Sequence, residues 1–134
     1  MSAVFADTSF YIAFANPRDT WHRPAVAAGA SWRGDIVTSE YVLLELGNSL
    51  SGPADRPVFL RMLQMIREDR KTTVVPASST LLQSGVELFA DRPDKEWSLT
   101  DCLSFTIMRS RTLNAALTCD RHFAQAGFQV LMTR

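Results

Sequence analysis

Cysteine, lysine and long apolar runs are all scarce in this chain, and each scarcity removes a class of explanation. Only two of its 134 residues are cysteine, Cys102 and Cys119. They form no C-x-x-C pair and are too few for a disulfide scaffold, so both read as small buried apolar residues. A zinc site made from them with His22 and His122 would match no finger spacing. No apolar run reaches the roughly 18 residues of a membrane span. The first residues, Met1-Ser2-Ala3-Val4-Phe5-Ala6-Asp7, have neither the basic region nor the long apolar core of a signal peptide, so a cytoplasmic protein without membrane contact is expected. Internal repeats and low-complexity tracts are also missing. With 46% apolar and 21% charged residues, a packed core is expected, arranged as a single domain over residues 1–134.

The shortage of lysine is the informative one. Formal charge is zero, from 14 basic and 14 acidic residues, but the basic set holds only Lys71 and Lys95 beside twelve arginines. Arginine is suited to bidentate phosphate contacts. If four carboxylates are sequestered around metal, ten acids remain against fourteen bases, and the rest of the molecule suits a polyanion.

Strand-like runs fall at Ala3–Ala6, Asp35–Thr38, Thr72–Pro76, Ala115–Thr118 and, more weakly, Phe128–Leu131. Helix-like patterns fill the gaps: Ser9–Asn16, Pro24–Trp32, Glu40–Leu50 capped by Ser39, Arg56–Asp69, Ser79–Ala90, Ser98–Arg111 and Arg121–Ala126. The apolar face assigned to Arg56–Asp69 comprises Val58, Phe59, Met62, Leu63, Met65 and Ile66, with Met62 and Met65 read as core. Strands alternating with helices predict a three-layer α/β/α sandwich around a mostly parallel sheet.

Four acids stand in or beside apolar segments. Asp7 ends the first strand, Glu45 lies within Tyr41-Val42-Leu43-Leu44-Glu45-Leu46, Asp101 opens an apolar helix, and Asp120 follows Ala115–Cys119. Each has a purely structural reading. Ser98-Leu99-Thr100-Asp101 forms a capping box, Asp7 and Asp120 suit helix N-caps, and Glu45 suits an amphipathic surface. If the strand order is 3-2-1-4-5, however, strands 1 and 4 lie side by side at the reversal of the sheet, where ligands bind. Asp7 and Asp120 then become neighbours. Clustered carboxylates repel, and divalent cations with a preference for oxygen ligands remove that penalty. Two such ions can activate a water and stabilise the leaving oxygen of an in-line displacement.

The blocks Val4-Phe5-Ala6-Asp7-Thr8-Ser9, Thr38-Ser39-Glu40 leading to Glu45, Ser98-Leu99-Thr100-Asp101-Cys102 and Leu117-Thr118-Cys119-Asp120-Arg121-His122-Phe123 closely resemble the PIN-domain ribonucleases. Within them, the nearest group is the VapC-type toxins of toxin–antitoxin pairs. The resemblance runs from about Val4 to Leu131. It implies a PIN fold with sheet order 3-2-1-4-5 and an Mg2+- or Mn2+-dependent endoribonuclease leaving a 5′-phosphate and a 3′-hydroxyl. In that pattern Asp7, Glu45, Asp101 and Asp120 form the acidic quartet. Asp7 and Asp101 are then the main metal ligands, with Glu45 and Asp120 binding a second ion or orienting the water. Thr8 or Ser9, and Thr118, support them through hydroxyl hydrogen bonds.

Arg121, Arg109 and Arg111 are the expected RNA contacts, although Arg109 and Arg111 also suit a helix C-terminus. His122 reads as a packing or hydrogen-bonding residue. The stretch Arg92–Trp97 should border the cleft, bringing Asp94 and Glu96 near it, as an exposed loop or as a substrate- or partner-contacting rim. A cognate antitoxin and a homodimer are expected partners, and the Leu- and Met-rich helices flanking Ser51-Gly52-Pro53 are the candidate grip. A haloacid-dehalogenase-type phosphatase would need an acid where Ser9 stands. A phospho-receiver would need an acidic pair by the first strand and a late lysine. The alternative of another class is a PIN-fold RNA- or protein-binding module with little or no cleavage.

Overall fold

The computed structural model describes residues 2–133. Five strands form one sheet in the order β3-β2-β1-β4-β5. They are β1 (Ala3–Ala6), β2 (Asp35–Ser39), β3 (Thr72–Val75), β4 (Ala115–Leu117) and β5 (Gln129–Val130). Every pairing is parallel. Seven helices connect them: α1 (Thr8–Ala15), α2 (His22–Ser31), α3 (Glu40–Ser49), α4 (Arg56–Glu68), α5 (Ser79–Asp91), α6 (Leu99–Ser110) and α7 (Arg121–Gln125). None of the described helices is long and apolar enough to cross a membrane.

Val4, Phe5 and Ala6 are consecutive in β1 and all buried. Since alternate strand residues face opposite sides, both faces of the central strand are covered. The aromatic centre of the core lies beside β1. Phe105 of α6 meets Phe123 of α7 edge-on, with ring centroids 4.9 Å apart, and Phe5 stacks on Phe123 at 6.4 Å. Gly85 is what lets α5 lie against α6, because a Cβ there would stand 2.5 Å from Leu103 Cδ2.

Helix starts follow local chemistry. Ser39 accepts from the Val42 amide and Ser78 from the Leu81 amide. Ser98 and Asp101 exchange both bonds of the expected capping box. Helix α2 begins at His22, two residues before the expected start at Pro24. Asp19 prepares the entry, accepting from the Trp21 amide with its side chain and from the His22 amide with its carbonyl, and a proline is tolerated in a first helical turn. The apolar face of α4 is narrower than its sequence pattern. Met62 and Ile66 are buried, whereas Met65 is 59% exposed. Met65 therefore falls outside the core and lines a surface groove with Phe10 and Phe14. Cys102 is buried as expected, but Cys119 is only partly so, because it lies in the loop leaving β4 toward the cleft.

Candidate active site

Parallel strands β1 and β4 are neighbours, so the segments leaving their carboxyl ends converge. Asp7 follows β1, and its amide donates to Leu117 O at 3.1 Å. Asp120 follows β4 after two residues. The N-terminus of α6 supplies Asp101, and the middle of α3 supplies Glu45. All four acids line one cavity of about 330 Å³, with Thr8, Ser9, Ile12, Ser49, Glu96, Ser98 and His122. Among the described residues the lining thus holds five carboxylates and one imidazole, and neither lysine nor arginine.

Asp7 is buried and held from behind. Its Oδ2 accepts from Ser9 Oγ at 3.0 Å and from Thr118 Oγ1 at 2.9 Å. Thr118 Oγ1 in turn accepts from the Asp120 amide at 3.0 Å, and Ser9 Oγ from the Cys119 amide at 3.3 Å. A short hydroxyl network therefore ties the ends of β1 and β4 together under the cavity floor. Asp7 occupies the N-cap position of α1 yet makes no side-chain capping bond, so its simple structural reading fails. Burial pushes its carboxyl up to about 6; the Thr118 and Ser9 hydroxyls and the Thr8 amide oppose this, and the Asp101 charge adds to it.

Asp101 uses Oδ2 twice, accepting from the Ser98 amide at 3.1 Å and meeting His122 Nδ1 at 3.0 Å. Its Oδ1 has no protein donor among the described residues. Burial raises the Asp101 carboxyl, His122 lowers it, and Asp120 raises it again. Asp120 caps α7 through the His122 amide at 2.8 Å, and its Oδ1 lies 3.4 Å from His122 Nδ1. Thus Asp101 and Asp120 each make a structural capping bond and still face the cavity. Glu45 is half-buried in α3 and has no hydrogen-bond partner among the described residues.

One side chain here goes beyond the sequence reading. His122 joins the site: one ligand atom each from Asp101, Asp120 and His122 can be chosen so that all lie within 4.8 Å of one another. Asp7 and Glu45 line the same cavity outside that tight group. The available signal was the Asp120-Arg121-His122 run, whose first-turn geometry returns the ring toward its own cap. Glu96 lines the cavity, but Asp94 turns away to pair with Arg92 at 3.0 Å. Among the supporting hydroxyls, Ser9 and Thr118 contact Asp7, whereas Thr8 Oγ1 is buried with no partner. Arg121 is exposed beside Asp120. Arg109 and Arg111 lie at the opposite end of α6, about 12 Å or more along the helix from Asp101.

This donor set fits a divalent cation. Hard oxygen donors crowd one pocket with no lysine or arginine among the described residues that line it, two of the acids are raised by burial and mutual repulsion, and an orphaned hydroxyl lines the wall. Carboxylate oxygens suit magnesium and manganese alike.

Comparison with known proteins places this geometry. The PIN domain model matches residues 4–129. The 23S rRNA-specific endonuclease VapC20 of Mycobacterium tuberculosis is 28% identical over 130 residues, covering 93% of this chain and 95% of that protein. The crystal structure of VapC20, described as a sarcin-ricin loop cleaving toxin, superposes with a TM-score of 0.87 at 28% identity over 95% of this chain and 96% of that one. FitAcB from Neisseria gonorrhoeae shares the fold with a TM-score of 0.67 at 15% identity, covering 96% of both chains.

Proposed function

The chain belongs to the PIN domain family, and from that premise we propose that it is a divalent-metal-dependent endoribonuclease acting in the cytoplasm as the toxin of a toxin–antitoxin pair. The observation that carries the reading is the single cavity where five carboxylates and His122 meet with no lysine or arginine among the described residues lining it. Similarity over nearly the full length to an rRNA-specific endonuclease supports RNA as the substrate.

Asp7, Asp101 and Asp120 would hold the metal, with Glu45 completing the set from the facing helix. The chemistry such an ion supplies when bound is activation of a water and stabilisation of the leaving oxygen in an in-line displacement. The chain's own residues prepare that site. Ser9 and Thr118 fix Asp7 in one orientation. The capping box and His122 fix Asp101 through one oxygen and leave the other toward the cavity. When Asp101 is ionised, its contact places the ring proton of neutral His122 on Nδ1, so Nε2 carries a lone pair. Attack of water at phosphorus breaks the P–O3′ bond, leaving a 5′-phosphate on one product and a 3′-hydroxyl on the other. Arg121, exposed and next in sequence to Asp120, is the best placed of the three expected RNA-contacting arginines. Arg109 and Arg111 could meet only a substrate long enough to follow α6.

An antitoxin and a second copy of the chain are the proposed partners. Leu44 of α3 and Leu60 of α4 are 64% and 61% exposed, which supports this helical pair as a partner surface. The deciding experiment incubates the purified chain with a structured RNA and Mn2+, then maps product ends. Cleavage to 5′-phosphate ends, lost with chelator and in Asp7→Asn, supports the nuclease. RNA binding without cleavage under any divalent metal would support the binding-module reading instead.

A further inference from the structure

Beside the carboxylate cavity, and outside the acidic set, lies a second hollow of about 530 Å³. Its lining includes Phe89, Arg92, Pro93, Lys95, Glu96 and Trp97. Glu96 lines both this hollow and the carboxylate cavity. A third hollow, lined by Asp94, Lys95, Glu96, His122 and Gln125, shares His122 with the first and Lys95 with the second. Shared walls at Glu96, Lys95 and His122 therefore make the three hollows neighbours, from the acids to the end of α5.

The hollow at the end of α5 is built for a flat, apolar-faced ligand. Trp97 is only 4% exposed. Its ring meets Phe105 edge-on at 5.0 Å, and its Nε1 donates to Gln125 Oε1 at 3.0 Å, so the wall is rigid. The Arg92 guanidinium carbon lies over this ring at 5.1 Å. Asp94 grips Arg92 through both Nε and Nη2, each at 3.0 Å, so the guanidinium is fixed and its charge balanced. Phe89 lines the same hollow and leaves 51% of its surface to solvent. Lys95, shared with the third hollow, has no ion pair among the described residues. Unstacked RNA bases are recognised on aromatic rings and guanidinium planes.

Resting on the nuclease reading above, we infer that Phe89 and the Trp97-backed Arg92 form a stacking subsite for an unpaired base of the RNA strand flanking the scissile phosphate, with Lys95 meeting the intervening phosphate. The subsite selects single-stranded substrate: a base can leave the acidic cavity and enter the second hollow only when it is free of its partner strand. Because Asp94 already neutralises Arg92, the base is held by stacking and dispersion, and only Lys95 contributes a charge-dependent contact.

The test uses the full chain carrying Asp7→Asn, which prevents turnover, and single-stranded hexaribonucleotides with 2-aminopurine placed at each position in turn. Stacking quenches 2-aminopurine. One position should be quenched on binding, and Phe89→Ala or Arg92→Ala should abolish that quenching and weaken affinity about tenfold. Phe89→Ala should leave the salt dependence of affinity unchanged, while Lys95→Ala should reduce the slope by about one. Since Phe89 is exposed, its variant tests the idea without a folding defect, checked by an unchanged melting temperature. Equal affinity and quenching in wild-type and Phe89→Ala backgrounds would overturn the subsite while leaving the nuclease reading intact. If the hollow instead holds a protein segment, Phe89→Ala will release a protein partner and leave RNA affinity untouched, which also overturns the inference. Failure of the nuclease reading is separate, and would show as no metal-dependent cleavage by the chain with Asp7 in place.

Discussion

Asp7 and Glu45 face the same cavity but are held in opposite ways. Asp7 is buried at the carboxyl end of the central strand, gripped by two hydroxyls and pushed up to about 6 by its surroundings. Glu45 stands on α3, half-buried and without hydrogen bonds. One carboxylate is fixed before any ligand arrives, at a cost to the fold. The other is free to adapt and costs the fold little. A site that must gather a hydrated cation and then admit a polyanion uses both kinds, since fixed donors set position and free donors complete coordination.

Substitutions should separate the two roles. Asp7→Asn is expected to lower RNA cleavage by about a thousandfold or more. In chelator it should also make the protein more stable, because the buried charge is gone. Thermal unfolding without metal at pH 7.5 checks the second outcome, and a lower melting temperature would remove the contrast with Glu45. Glu45→Gln should reduce cleavage by about 10- to 100-fold and leave metal-free stability within about 0.5 kcal/mol of the parent. Thr118→Val removes one donor from Asp7 and the acceptor of the Asp120 amide. It should cost about 1–3 kcal/mol in denaturant unfolding, with a smaller loss of activity than Asp7→Asn.

The gentlest probe is pH. Asp7 titrates near 6 when folded and near 3.8 when unfolded, so between those values the folded state binds more protons. Its contribution to stability is complete below about 3.8 and is lost as pH rises through 6, a change of about 2–3 kcal/mol. Metal-free denaturant unfolding at pH 5 and 7.5 should show about 1.4 kcal/mol of this loss in the parent but not in Asp7→Asn, since part of it has already occurred below pH 5. Divalent metal should reverse it at the higher pH, because the ion competes with the proton for the same oxygen.

Much of this was legible from the sequence because it is local or follows from topology. The Ser98–Asp101 capping box is a four-residue pattern, and it appears as expected. The convergence of Asp7 and Asp120 required only parallel strands and the 3-2-1-4-5 order. What could not be read depends on side-chain direction across long separations. His122 reaches Asp101 over 21 positions, and the Asp120-Arg121-His122 run signals only its local approach to Asp120. Asp94 and Glu96 are two residues apart in one loop, yet only Glu96 lines the carboxylate cavity, because Asp94 is captured by Arg92. Met65 looked like core by helical spacing, but α4 buries a stripe narrower than its apolar content.

The most direct test of the central claim is a Mn2+ titration of the metal-free chain followed by electron paramagnetic resonance, in parallel with Asp7→Asn. Convergence of the acids into one cation site predicts saturable loss of the free-Mn2+ signal for the parent and binding at least tenfold weaker in the variant. Superimposable isotherms, or no saturable binding by the parent, would contradict it.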